Sequence, residues 1–480
     1  MQGKASPSRP KAPASLTSFT VLTPLIVATA LFMENLDGTV LSTALPAMAA
    51  DLHEDPVALK LALTSYLLAL AVFIPLSGWA ADKFGARKVF SAAIVVFTLG
   101  SILCGLSTTL LAVVLSRVVQ GAGGAMMVPV GRLVILRTAP KAELVTAMAW
   151  LTIPALIGPL IGPPVGGFIA TYFHWRYIFW INAPIGLLGV VLATLFIPDL
   201  TEEEVWPLDV PGALLSGFGL SATVLGFSLA GGEVESSPLV VVALLAAGAL
   251  ALLLYWRHAQ HTPTPILDLG LLNVSTFRAA LIGGFLFRIG VGAIPFLLPL
   301  LLQVGFNLTA FESGSLTFVA AAGAMAMKTT AKPILHTFGF RRVLILNALL
   351  CSLFLVANVF FEASTPHWVM MAVLLVGGFF RSLEFTALNA IGFADIDQRD
   401  MSRATSFSAV GQQLSQSIGV AIGAAGLELS RATHGGGALH AQDFAAAFLA
   451  VAAVSAASVL FFTPLAQDAG DELAGRVMEE

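Results

Sequence analysis

Six charged side chains, Glu34, Asp37, Arg117, Arg288, Arg381 and Glu384, stand inside long runs of apolar residues. At the centre of a bilayer such a charge costs about 2.5–3.5 kcal/mol on insertion scales, so it usually faces a cavity or a partner. Carboxylates and guanidinium groups placed this way suit one kind of chemistry, the uptake and release of a proton. A carboxylate beside a cation stays ionised, whereas one left alone in apolar surroundings takes a proton. At 1.5 Å per residue, Asp37 lies about eight residues, or roughly 12 Å, from the end of its apolar run near Leu45, and Arg117 lies about as far from the start of its own near Thr109. The two are therefore level, and an ion pair forms wherever their helices adjoin. In one reading Asp37 takes a proton from outside and yields it inside, with Arg117 favouring release; in the other the pair only fixes the packing of two helices.

Glu34 precedes Asp37 by three residues, about 60° around a helix and roughly 4.5 Å deeper. It either attracts cationic compounds, carries a second proton, or is a protonated group hydrogen-bonded to a neighbour. Arg288 falls near the middle of its apolar run, where it balances the acids, binds an anionic group of a substrate, or serves as a structural counter-charge. Arg381 and Glu384, spaced i, i+3, can neutralise each other. Phe32, Met33, Met126 and Met127 would suit an adaptable apolar cavity beside these charges, since Met and Phe pack against ligands of many shapes.

The elements that must position these groups follow from composition. Of 480 residues 57% are apolar and 11% charged, which lies outside the soluble range and defines an all-α polytopic membrane protein. A net charge of -4 without a long basic or acidic tract excludes nucleic acid as a partner class. Cys104 and Cys351 fall inside apolar segments and imply no disulfide framework. No GxxxxGK[ST] run supports ATP-driven pumping, and the eight His show no metal-ligand spacing, so neither cofactor nor metal is expected. Ala28-Thr29-Ala30 mimics a signal-peptide cleavage site, but the apolar stretch continues to about Leu45, too long for a signal core.

At about 20 residues per span, fourteen spans are expected, near residues 20–45, 57–80, 88–106, 109–130, 144–170, 176–198, 211–230, 237–256, 277–301, 313–335, 342–361, 367–391, 403–428 and 441–465. With a cytoplasmic N-terminus, eighteen of the 24 Lys and Arg lie near inner loops and tails; only Lys60, Arg176 and Arg431 lie outside, and three are within spans. The positive-inside rule thus places both termini in the cytoplasm. FGARKVF at Phe84 to Phe90 matches FGFRRVL at Phe338 to Leu344, a repeat at an offset of 254 residues. Repeated halves are a signature of secondary transporters. The expected organisation is a tail at 1–17, a six-helix bundle at 18–200, two inserted helices at 201–258, a second six-helix bundle at 259–466 and a tail at 467–480.

Between Gly158 and Gly167 the chain reads GPLIGPPVGG, in which seven of ten residues are Gly or Pro. In water each interior Pro would cost a helix about 3 kcal/mol and each Gly about 1. In a bilayer, small residues let helices approach closely, so the run reads as a tightly packed membrane helix whose glycines at 158, 162 and 166 share one face. The aromatics of WRYIFWINAPIG, Trp175 to Gly186, read mostly as interface belt residues.

Four stretches in order, LDGTVLSTALP at Leu36 to Pro46, GWAADKFGARK at Gly78 to Lys88, LSRVVQGAGGA at Leu115 to Ala125, and the GPLIGPPVGG run, resemble the major facilitator superfamily. The resemblance spans nearly the whole chain and is to the fourteen-helix multidrug:proton antiporter branch, the EmrB/QacA type with its MdtD-like members. Departures are Lys83 and Ala86 in place of the usual Arg, and Ala149 where the antiporter signature often begins with Gly. The second loop copy has His336 where the first has Asp82, so the two halves are expected to be functionally unequal.

The resemblance implies the major facilitator fold, two six-helix bundles plus two inserted helices, with Asp37 and Arg117 facing each other across a central cavity and coupling proton movement to transport. It assigns Gly78, Asp82, Lys83, Gly85, Arg87 and Lys88 to a gating loop, with Asp82 latching the N-terminal end of the span from about Arg403. It gives Gly158, Gly162, Pro163, Gly166 and Gly167 the role of an antiporter helix that restricts leakage and acts as a pivot. The implied function is proton-coupled efflux of amphipathic small molecules by alternating access, from a monomer in a bacterial-type inner membrane. Exporters of one metabolite or metal chelate, an uptake symporter, and a membrane receptor or scaffold that does not transport are the other readings.

Overall fold

The computed structural model describes residues 16–138, 144–198, 207–230, 237–397, 400–435 and 437–471. Most of the expected tails, residues 1–15 and 472–480, and the start of the expected inserted segment at 201–206 lie outside the described residues. Apolar runs of this length bury their backbone polar groups only as helices, and the described chain is almost wholly helical with no strand. Its long helices are α1 (Leu16–Leu52), α2 (Lys60–Phe84), α3 (Ala86–Leu106), α4 (Leu110–Thr138), α5 (Leu144–Tyr172), α6 (Tyr177–Phe196), α7 (Val210–Ala230), α8 (Pro238–His261), α9 (Ser275–Gly305), α10 (Ala310–Phe338), α11 (Phe340–Phe360), α12 (His367–Ile391), α13 (Met401–Thr433) and α14 (Ala441–Phe462).

Twelve helices among the described residues are long and apolar enough to cross a membrane. α5 and α13, at 29 and 33 residues, bring the total to the expected fourteen. α13 carries Gln412, Gln413, Ser415 and Ser417 along its length, polar groups that only a helix turned toward a cavity or another helix can keep in a bilayer.

Local chemistry sets the breaks. The repeated motif places a glycine at each of two matching corners, Gly85 between α2 and α3 (φ +92°) and Gly339 between α10 and α11 (φ +75°). Both corners need left-handed backbone, which glycine adopts without a Cβ penalty. α10 starts with a capping box, in which Thr309 Oγ1 accepts from Glu312 N (3.2 Å) and Thr309 N donates to Glu312 Oε2 (2.9 Å).

The helices pack as two six-helix bundles, α1–α6 and α9–α14, with the same pairings in each. α1 lies on α5 and α6 as α9 lies on α13 and α14; α4 lies on α2 and α3 as α12 lies on α10 and α11; α3 meets α6 as α11 meets α14. The two most extensive contacts across the seam between bundles, α5 on α10 and α2 on α13, are again counterparts, and α1 also touches α9 and α10. α7 and α8 form a hairpin outside this frame, and α7 leans on both α2 and α13, so it spans the seam from the flank.

Candidate functional site

Arg117 and Gln120, one turn apart on α4, face the same way, and Asp37 meets them from α1. Arg117 Nη1 donates to Asp37 Oδ2 at 2.6 Å and to Gln120 Oε1 at 2.7 Å, while its Nε donates to the Ala62 carbonyl at 3.0 Å. Gln120 Nε2 and Asn182 Nδ2 each donate to Asp37 Oδ1 at 2.9 Å. Asn182 is held in turn by Ser101, whose hydroxyl accepts from Asn182 at 3.0 Å and donates to the Phe179 carbonyl at 2.8 Å. The guanidinium lies 4.1 Å from the centroid of the Tyr66 ring. Five helices of one bundle thus converge on a carboxylate that receives three charge-assisted hydrogen bonds and is 1% exposed.

A buried pair of this kind adds little net stability, but removing either member strands a charge, at about 3–5 kcal/mol. The arrangement sets a buried carboxylate directly against its own counter-ion.

Glu34, one turn from Asp37, opens onto a cavity of about 600 Å³ between the bundles. Ser77 and Gly78 of α2, Gly124 and Arg132 of α4, and Met401, Thr405, Gln412 and Gln413 of α13 line it. Arg132 and Thr405 are exposed, so the cavity opens at the end of the molecule that carries Lys83, Lys88 and Arg403. Glu34 Oε2 is buried without a hydrogen-bond partner. At the opposite end the seam is shut. Arg431 of α13 is ion-paired to Asp55 of the α1–α2 loop at 2.8 Å, Gln303 Nε2 donates to the Thr43 carbonyl at 3.0 Å, and Phe311 N donates to Thr171 Oγ1 at 2.9 Å.

The glycines of the GPLIGPPVGG run divide between two faces of α5. Gly158, Gly162 and Gly166 pack on α1, where added Cβ atoms at Gly162 and Gly166 would run into Thr39 and Thr43 and one at Gly158 would crowd Asn35 and the Leu36 N. Gly167 faces the other bundle, against the Ala310 carbonyl of α10, and Gly314 of α10 returns the contact onto the Pro163 carbonyl. The same short run therefore seats the helix of Asp37 and the closed seam.

Other expected site residues are placed as follows. Gly78 lines the cavity and Gly85 forms the corner, while the Lys83 ammonium lies over the Trp79 ring at 4.7 Å. Asp82, Arg87 and Lys88 are on or beside that corner. Phe32 is partly buried against the core near α1 and Met126 against the first bundle's core. Met33 and Met127, at 1% and 0% exposure, are packed into that core, and neither is among the residues that line the cavity. Arg288 is buried within the second bundle and also stands away from this cavity. Glu384 accepts from Asn347 Nδ2 at 3.0 Å on α11, and no contact ion pair with Arg381 forms. Trp175 and Phe179 are buried, and Trp175 Nε1 donates to Asp51 Oδ2 at 3.1 Å, so these two aromatics are core rather than belt. Sequence reasoning did not single out Gln120, Asn182, Ser101 or Tyr66. Gln120 was visible as the polar residue one turn from Arg117, but Asn182 and Ser101 carry no spacing signal.

A helical transporter with two like bundles and a buried ion pair inside the first of them is the class that fold and site define, and the chain belongs to the Major Facilitator Superfamily, whose family model matches residues 27–277 and 280–476. Among its relatives, a protein of Salmonella heidelberg (strain SL476) is 41% identical over 400 residues, covering 83% of this chain and 84% of the relative. One of Shigella boydii serotype 4 (strain Sb227) is 39% identical over 399 residues with the same coverage. Both carry the name multidrug resistance protein MdtD. Solved structures with this fold include a D-xylose-proton symporter (TM-score 0.63, 16% identity, 92% of this chain and 97% of that one) and a variant of the nucleoside transporter NupG (TM-score 0.61, 15% identity, 92% and 99%).

Proposed function

We propose that this chain is a proton-coupled efflux transporter that exports amphipathic small molecules in exchange for protons. The observation that carries this reading is the Asp37–Arg117 pair, buried at the level of the cavity and held by Gln120 and Asn182. The name shared by the relatives supports drugs as the substrate class. The cavity supports it too: Glu34 offers a carboxylate to cationic compounds and Gln412 and Gln413 offer neutral hydrogen bonds.

In the proposed cycle the present form, open at the basic end, faces the cytoplasm, as the positive-inside rule requires of that end. Substrate enters the cavity while Asp37 is ionised on Arg117. Closure at the basic end and opening at the other exposes substrate outside, where proton uptake by Asp37 releases Arg117 and favours return. The gating loop from Gly78 to Lys88 acts in that closure, and α5, through Gly158, Gly162, Pro163, Gly166 and Gly167, is the pivot and leak barrier. The chain acts as a monomer in a bacterial inner membrane, with both termini cytoplasmic, two six-helix bundles, and an inserted hairpin between them that ends at His261, three residues past the expected boundary at 258.

A pH-sensitive dye in inverted vesicles tests this, with a panel of lipophilic cations and neutral drugs added to wild type and Asp37→Asn. Proton release from the vesicles with wild type, lost in Asp37→Asn, is the expected result. Silence of wild type toward every compound would overturn the drug-exchange reading and favour an exporter of one metabolite.

A further inference from the structure

The second bundle also contains a buried acid and a buried base, on the helices that correspond to those of Arg117 and Asp37, with the charges exchanged between the helices. Arg288 is on α9, the first helix of its bundle, and Glu384 on α12, the fourth; Asp37 and Arg117 are on α1 and α4. Arg288 is 2% and Glu384 0% exposed. Unlike the first pair, the second is parted. Glu384 Oε2 accepts from Asn347 Nδ2 at 3.0 Å, and its Oε1 is buried with no hydrogen-bond partner. Arg288 Nε is also unpartnered, and Nη2 reaches Asn389 Oδ1 only at 3.4 Å. The two side chains form no contact ion pair.

We propose that Glu384 is a second proton-binding carboxylate and that Arg288 is its movable counter-ion. An isolated ionised carboxylate is too costly to bury, so such a group stays protonated until a cation comes to it. In the parted state seen here Glu384 keeps its proton. When Arg288 closes on it, the O–H bond at Oε1 breaks, the proton passes to water in the seam, and the carboxylate's charge is met by the guanidinium. The exit is close. Cys351, which interacts with both Glu384 and Arg381, lines with Arg381 a seam cavity of about 220 Å³ that also touches Thr39 and Ser42 of α1. The groups that face Glu384 are Arg288 from α9 and Asn347 and Cys351 from α11; Arg381, on its own helix, faces Cys351 instead, and from α10 Lys328 is engaged with Thr386 Oγ1 at 3.0 Å.

The inference deepens the proton-coupled reading and rests on it for its purpose, but proton binding is measurable without transport. Infrared difference spectra of the purified full chain, recorded through a pH titration, report protonated carboxyl groups directly. The expected result is a titrating carboxyl band that is lost in Glu384→Gln, moves in Glu384→Asp, and persists in Asp37→Asn. Identical titrations for wild type and either Glu384 variant would overturn the proposal, since Glu384 would then keep one state at every pH. A band that behaves as expected in a protein that fails to exchange protons for drugs would retain the site and dismiss only the efflux reading.

Discussion

At the scale of single residues, the centre of the molecule is a carboxylate with three donors, and each donor has a measurable share. Asn182→Ala removes one hydrogen bond to a charged group, worth about 1.5–3 kcal/mol. Thermal unfolding of the purified protein should therefore fall in Asn182→Ala while proton coupling survives through Arg117 and Gln120. An unchanged melting temperature would mean that Asn182 contributes nothing to holding Asp37. Glu34→Gln should weaken export of cationic compounds several-fold and leave neutral ones unaffected, measured by the same dye assay on both classes. Asp37 and Arg117 were legible in the sequence because a full charge in an apolar run is expensive and demands a reason. Their neutral partners were not, since Asn and Gln are cheaper to bury and recur for many reasons. Residue type says nothing about which way a helix position faces, so the burial of Met33 and Met127 in the core was not legible in the sequence.

At the scale of elements, α5 ties the Asp37 helix to the seam through two glycine faces. Gly162→Val drives a branched side chain into Thr39 of α1, beside Asp37 in the same helix. Overpacking of this kind costs about 1–3 kcal/mol, so a lowered melting temperature and loss of transport are expected together. Gly167→Val presses instead on α10, across the seam. It should alter transport more than bundle stability, seen as reduced flux with a melting temperature near that of wild type. The breaks and spans of most elements were legible, because Gly85, Gly339 and the apolar runs act locally. The division of the GPLIGPPVGG glycines between α1 and α10 was only half legible: the four-residue spacing shows a shared face at 158, 162 and 166, but nothing local reveals that Gly167 meets another bundle.

At the scale of the whole molecule, one end is open and the other latched. The latch holds Arg431 to Asp55, with Glu428 3.5 Å from the same guanidinium nitrogen. Reversing Asp55 to Arg should loosen the closed end by about 1 kcal/mol, roughly a fivefold change in the opening equilibrium. Joining it with Arg431→Asp should restore closure. Accessibility of a cysteine placed at Thr43 to a membrane-impermeant thiol reagent checks this, and equal labelling in the single and double variants would argue against the latch. The pseudo-symmetry of the bundles was legible only as the short FGARKVF and FGFRRVL match; the paired helix packing comes from long-range contacts that one sequence does not display. The central claim is that Asp37 couples proton movement to substrate movement, and its most direct test separates exchange from drive. Asp37→Asn, reconstituted with a compound that gives a wild-type signal in the dye assay, should still exchange labelled for unlabelled compound while failing to concentrate it under an imposed pH gradient. Wild-type accumulation by Asp37→Asn under that gradient would contradict the account.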